Sequence, residues 1–163
     1  MNVTANGAMR ALTLRLGDEV FAIEAERVRE ILDLVPVTEV PMAPPFVGGL
    51  INVRGRVVPL ADLRIVFGMN RRPPDEDTRI VVLETEIEGE ATVVGIIADK
   101  VHEVTDIEAS SVESAPRVGM RWRADFVAGI GKRNGEFIII PDLGRIFETE
   151  GSRSVPTAVE RAA

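Results

Sequence analysis

The chain carries its own pattern twice, and this repetition limits the folds open to it more than any other feature. Phe46-Val47-Gly48-Gly49-Leu50 returns 80 positions later as Phe126-Val127-Ala128-Gly129-Ile130. At the same spacing, Gly55-Arg56-Val57-Val58-Pro59-Leu60-Ala61-Asp62-Leu63 returns as Gly135-Glu136-Phe137-Ile138-Ile139-Ile140-Pro141-Asp142-Leu143, and Phe67 is answered by Phe147. A second pair precedes it: Phe21-Ala22-Ile23 leading to Glu26 through Ile31 is answered 73 positions on by Val94-Gly95-Ile96 leading to Asp99 through Val104. Two pairs in the same order and at similar spacing mark one supersecondary unit used twice. The halves are expected to fold alike, with Phe46 and Phe126, Gly55 and Gly135, and Asp62 and Asp142 in equivalent places.

The local signals within each copy are those of strands. Leu12 through Leu16 and Val20 through Ile23 flank Gly17-Asp18-Glu19 and predict a hairpin. Leu50 through Val53 and Val57 through Leu60 predict another, its turn at Arg54-Gly55-Arg56, where a glycine takes positive φ at no steric cost. Asp62 is placed to cap a short helix through Phe67, ended by Gly68. Val28, Ile31 and Leu32 have helix-like spacing, so a short helix or turn is expected over 24–31. In the second copy, Arg79 through Glu84 and Thr92 through Ala98 are β-branched runs around the turn-prone Glu88-Gly89-Glu90. Residues 71–77, polar and proline-bearing, are the expected boundary between copies. The expectation is an all-β chain of two small barrels with short helices, about 9–70 and 78–150, forming a single domain over 9–150. Residues 151–163 have no apolar periodicity and are expected to be a disordered tail.

With 163 residues, 45% of them apolar, there is material for two small barrels sharing a core, whereas two independent domains would each be marginal. A net charge of −7 without a basic cluster argues against nucleic acid and anionic membrane surfaces as partners. With no cysteine, thiolate metal sites and a cysteine nucleophile are excluded. Residues 1–7 lack the apolar core of a signal peptide, and later apolar runs are of strand length, so a soluble, intracellular protein without direct membrane insertion is expected.

The candidate chemical groups each have a plainer use. His102 is the sole histidine and answers the polar Arg29 in the repeat, which favours a solvent-exposed place over a metal site or a relay. Asp62 and Asp142 could serve as the acids of a small β-barrel hydrolase, but each stands where a helix N-cap is required. Asp75-Glu76-Asp77 lacks the spacing of a calcium loop and is expected to be a solvated turn. Gly48-Gly49 is not a phosphate loop, since no Gly-Lys-Ser/Thr follows; a bend or close backbone packing is the alternative. Trp122 fits a satellite core place and a contact anchor equally. Arg54, at a hairpin tip whose strands need no charge, reads by itself as a solvated turn arginine. No cofactor is called for.

Residues Gly49 through Leu63, GLINVRGRVVPLADL, resemble the hallmark of the CheW family of bacterial chemotaxis coupling proteins. Leu16 through Ile23, Val28-Arg29-Glu30-Ile31, Val93 through Val101 and Phe126 through Gly131 fall in the family's order, so that the similarity spans about 9–150. The resemblance implies two five-stranded, SH3-like barrels packed around a shared core, and no catalytic activity. It also implies a stand-alone adaptor joining the cytoplasmic tip of methyl-accepting chemoreceptors to the regulatory domain of the histidine kinase CheA, itself of similar fold. The receptor's helical hairpin would lie in a groove between the barrels. Val28, Glu30, Ile31 and Arg54 would border it by family motif, and Val101 and Val104 by repeat equivalence. Similar barrel surfaces would join the protein to kinase domains in closed rings within a signalling array, cytoplasmic and tied to the inner membrane through its partners.

Overall fold

The computed structural model describes residues 7–116 and 123–151. Trp122 and, beyond Gly151, the expected tail lie outside these. Among the described residues, ten strands and two α-helices run in the order β1 (Ala8–Leu16), β2 (Glu19–Glu24), β3 (Val28–Leu32), β4 (Val47–Val53), β5 (Arg56–Ala61), α1 (Leu63–Val66), then β6 (Arg79–Ile87), β7 (Glu90–Ala98), β8 (Lys100–Glu108), β9 (Val127–Arg133), β10 (Glu136–Pro141) and α2 (Leu143–Glu150). The second set repeats the first, element for element. Equivalent backbone bonds recur: Asp62 N donates to the Phe46 carbonyl at 2.9 Å and Asp142 N to the Phe126 carbonyl at 2.8 Å. Asp62 and Asp142 therefore occupy matching places, each following the last strand of its copy and opening its helix.

The copies do not fold separately. One five-stranded sheet has the order β8-β1-β2-β10-β9 and the other β3-β6-β7-β5-β4. Each combines the opening hairpin of one copy with the last three strands of the other. The expected units 9–70 and 78–150 are thus corrected: the 71–77 connector is a surface turn between copies, not a boundary between sheets. Chain length supplies the reason. Asp99 alone separates β7 from β8, and two residue steps span at most ~7 Å. The free place beside β6, beyond its own partner β7, lies two strand spacings away, about 9–10 Å. One residue is also too few for a hairpin turn, so β8 leaves its sheet and pairs with β1 instead.

Each sheet is closed at its open side by the segment that follows its edge strand. Thr38 and Leu50 exchange two backbone bonds of 2.8 Å, and Glu113 and Ile130 exchange bonds of 2.9 and 2.7 Å. These are the small barrels expected from the sequence. The closure explains a glycine of the repeat, because a Cβ at Gly49, where φ is 152°, would overlap the Thr38 carbonyl oxygen and Val37 Cγ1. At the equivalent Gly129 a Cβ would meet Val112 Cγ1 at 2.6 Å. Tight packing is the use of this glycine.

The short helix or turn expected over 24–31 is a 3-10 turn confined to Ala25–Arg27, and the rest of the segment is strand β3. Pairing with β6 overrides the local spacing: Val28, Glu30 and Leu32 are partly covered, while Arg29 and Ile31 face outward. The predicted hairpins form. Arg54-Gly55, Glu88-Gly89 and Asn134-Gly135 each have positive φ at both turn positions, the twist that two-residue hairpins favour.

Each barrel has its own interior, one including Met9, Ala22, Ile107 and Ile140, the other Ile51, Val58, Leu60 and Ile80. A larger core lies between them, drawing Leu14 and Phe21 from one sheet and Leu83 and Ile96 from the other, with Phe46, Phe67, Phe126 and Phe147 around them. Phe46 meets Phe147 edge-on with centroids 5.1 Å apart, and Phe21 meets Phe67 at 5.2 Å. Such pairs contribute about 0.5–1.5 kcal/mol beyond area burial. The first of them joins the two copies directly.

Candidate partner-binding site

Helix capping accounts for both aspartates considered as acids. Asp62 accepts from Arg64 N, and Asp142 from Arg145 N, each at 3.0 Å. Asp62 is further occupied by the Arg64 side chain, whose Nε and one terminal nitrogen each donate to it at 2.9 Å. The hydrolase reading is not supported. Asp75 Oδ1 accepts from Asp77 N at 2.8 Å in the expected solvated turn. His102 is exposed on β8. Among the described residues no cluster of three or more His, Cys, Asp or Glu side chains is placed to hold a metal ion, and no helix is long and apolar enough to cross a membrane.

The partner-binding candidates fall on two edge strands and one hairpin tip. Val28, Glu30 and Ile31 are on β3, the edge of one sheet, and Val101 and Val104 on β8, the edge of the other. Val28 and Val101 are repeat equivalents and pack against the shared core. Ile31 and Val104 are the next equivalent pair and are exposed, at 43% and 54%. The repeat thus provides two like apolar steps, one on each sheet.

Arg54 is not a freely solvated turn residue. Its Nε donates to Glu30 Oε2 at 3.1 Å and a terminal nitrogen to Oε1 at 3.4 Å, although the guanidinium is largely exposed. The hydrogen bond and then the charge of Glu30 raise its pKa further above the ordinary arginine value, so it stays a cation. The αL conformation of Arg54, φ 51°, follows from the turn. The pair belongs to one copy only, because Asn134 stands at the equivalent hairpin tip.

Two features escaped the sequence reading. Val57 on β5 and Phe137 on β10 are equivalent in the repeat and are 72% and 66% exposed, a matched apolar residue on each barrel. Their equivalence was visible; their exposure was not, since strand alternation does not say which face is covered. The other is Arg64, buried at 5% exposure between Asp62 and Asp99, with a bond of 2.7 Å to the latter. Hydrogen bonding to Asp62 raises its pKa against the opposing effect of burial. A break in the repeat was the available signal: Asp62, Leu63 and Phe67 recur, but Gly144 stands where Arg64 should return.

Two closed barrels with exchanged strands, apolar steps on paired edges and an exposed Arg–Glu pair define a β-barrel interaction module. The chain belongs to the CheW-like domain family, whose model matches residues 10–151. It is 31% identical over 139 residues to the chemotaxis protein CheW of Klebsiella aerogenes, covering 85% of this chain and 81% of that one. Against the chemotaxis protein CheW of Rhizobium meliloti the identity is 29% over 145 residues, covering 89% and 91%. The solved scaffolding protein TtCheW of Thermoanaerobacter tengcongensis superposes with a TM-score of 0.78 at 34% identity, covering 89% of this chain and 96% of that one. The family is one of non-catalytic chemotaxis scaffolds.

Proposed function

We propose that this chain is an adaptor coupling the cytoplasmic tip of chemoreceptors to the regulatory domain of the histidine kinase CheA. The observation that carries the receptor half is the placement of Val28 and Ile31 on one edge strand and of Val101 and Val104 at equivalent positions on the other, beside the Arg54–Glu30 pair. Apolar steps of this kind accept the stripe of an amphipathic helix. The rim pair supplies a cation and an anion that fix register on helix side chains or carbonyls. On this reading β3 and β8 border the receptor groove.

The kinase half is supported by the matched exposure of Val57 and Phe137, one on each barrel. A kinase domain of similar fold would meet the two barrels through similar patches, and such heterologous contacts close into rings. The working place is the cytoplasm, at membrane arrays reached through the partners.

Reconstitution tests the reading. The chain is titrated with a receptor-tip helical hairpin and, separately, with the kinase regulatory domain, and kinase output is then followed with all three present. Binding to both, with kinase output altered only in the ternary mixture, is expected. Failure to bind either partner, or ATP hydrolysis by the chain alone, overturns it.

A further inference from the structure

We infer that Arg64 is a positioning residue: by clamping Asp99, it sets where β8 leaves one barrel for the other and so fixes the seating of the two barrels. Asp99 is the single residue between β7, in one sheet, and β8, in the other. Its carboxylate is held from both sides. Arg64, just after β5 of the first sheet, donates to Oδ1 at 2.7 Å, and Gly17 N, in the β1–β2 turn of the second, donates to Oδ2 at 2.7 Å. The Asp99 backbone N–H donates to the Arg15 carbonyl at 3.0 Å. Arg64 in turn is anchored by its two-nitrogen contact with Asp62, and the terminal nitrogen that binds Asp99 also donates to the Arg72 carbonyl in the connector at 3.4 Å. The side chains of Asp62, Arg64 and Asp99 are 7%, 7% and 9% exposed, so water cannot replace one member cheaply.

The opposite crossing, from β2 to β3, lacks this clamp. Gly144 stands in Arg64's place, and its missing side chain is required because a Cβ would lie 2.9 Å from the Glu86 carbonyl oxygen. A cavity of about 250 Å³ lies there instead, lined by Glu24, Arg27, Thr85, Asp142 and Gly144 among others. One Glu24 carboxylate oxygen is buried in the fold without a hydrogen-bond partner. That crossing is held more lightly, by Arg27, whose Nε lies 3.6 Å from the other Glu24 carboxylate oxygen and whose terminal nitrogen donates to Thr85 Oγ1 at 3.3 Å. One crossing between the barrels is therefore pinned by a buried three-residue ion cluster and its equivalent by a single, partly exposed arginine. Because Val101 follows Asp99 by two residues, the clamp places the β8 edge directly.

The chain has no cysteine, so spin labels placed at Ile31→Cys and Val104→Cys report the separation of the two edge strands without background. In Arg64→Met the label distance distribution is expected to shift or broaden at a temperature where the variant remains folded. Val58→Ala, a cavity within one barrel, is expected to lower the melting temperature and leave the distribution unchanged. Arg64→Lys is expected to restore the distribution in part, since an ammonium reaches Asp99 without the two-nitrogen anchor on Asp62. Should Arg64→Met not fold, the triple variant Asp62→Asn, Arg64→Met, Asp99→Asn leaves no buried charge unpaired and takes its place. An unchanged distribution in a folded Arg64 variant, or loss of fold in both, overturns the inference and leaves Arg64 a stability residue. The consequence for binding rests on the adaptor reading and is measured separately: unlabelled Arg64→Met should lose roughly two- to thirtyfold in affinity for the receptor-tip hairpin. A moved distance with unchanged affinity overturns the link to the groove and keeps the clamp.

Discussion

Arg54 and Glu30 grip each other across the surface of one barrel, from the tip of the β4–β5 hairpin to the edge strand β3, through two nitrogen–oxygen contacts of 3.1 and 3.4 Å. The pair is exposed, so it adds little to folding, yet it holds a permanent cation at a fixed place beside Ile31. Arg54→Ala is expected to leave the melt within about 2 °C of the parent, as surface substitutions do. It is expected to weaken the receptor-tip or kinase complex on the order of ten- to a hundredfold, the worth of one charge-assisted hydrogen bond. Calorimetric titration alongside a thermal melt separates the two, and parental affinity for both partners would remove Arg54 from the site.

The aspartates that open the helices should differ in what they contribute. Asp142→Ala removes one cap and is expected to cost about 1 kcal/mol. Asp62→Ala removes the same cap and also two hydrogen bonds of the buried Arg64 guanidinium, leaving it Asp99 and the Arg72 carbonyl, so a loss larger by about 1.5–3 kcal/mol is expected. Urea unfolding of the two variants measures the difference. Equal losses would show that the Arg64 contacts add nothing to Asp62.

Gly49 and Gly129 close their barrels with unequal tolerance. An added methyl at Gly49 runs into a backbone carbonyl as well as a side chain, and Gly49→Ala is expected to cost at least the 1–3 kcal/mol typical of overpacking. At Gly129 the nearest obstacle is Val112 Cγ1, a side-chain atom able to rotate away, so Gly129→Ala should cost less. Denaturant midpoints of the two variants decide the order.

Asp125 is hydrogen-bonded by Arg123 at 2.6 and 2.9 Å, which holds its carboxyl below the ordinary carboxylate value. A lowered folded pKa favours the folded state above the unfolded carboxylate pKa and loses that contribution as pH falls through the folded value. Both groups are at the surface, so the contribution is small. Carbon-13 titration of the Asp125 carboxyl should show the depressed value, and Arg123→Gln should return it toward the ordinary range.

Much of this protein was determined by short-range sequence. The hairpin turns at Gly17-Asp18, Arg54-Gly55 and Glu88-Gly89, the caps at Asp62 and Asp142 and the duplication itself all depend on residues close in the chain or on matching patterns, and the structure has them. Arg54 stood out as a charge that neither flanking strand requires, but by itself it read as a solvated turn arginine, and only the family resemblance made it a candidate contact. Its pairing with Glu30 was not legible, since Glu30 lies on β3, a segment whose spacing imitates a helix until β6 pairs with it. Only the tertiary structure decided which copy each strand joins. Both opening hairpins offer the same alternating apolar face, so pattern alone permits either pairing; the one-residue connection at Asp99 leaves β8 too short a reach to remain in the sheet of β7. That same exchange brings Arg64, Asp99 and the Gly17 turn together from three separate parts of the chain, a meeting of buried charges that no local spacing records.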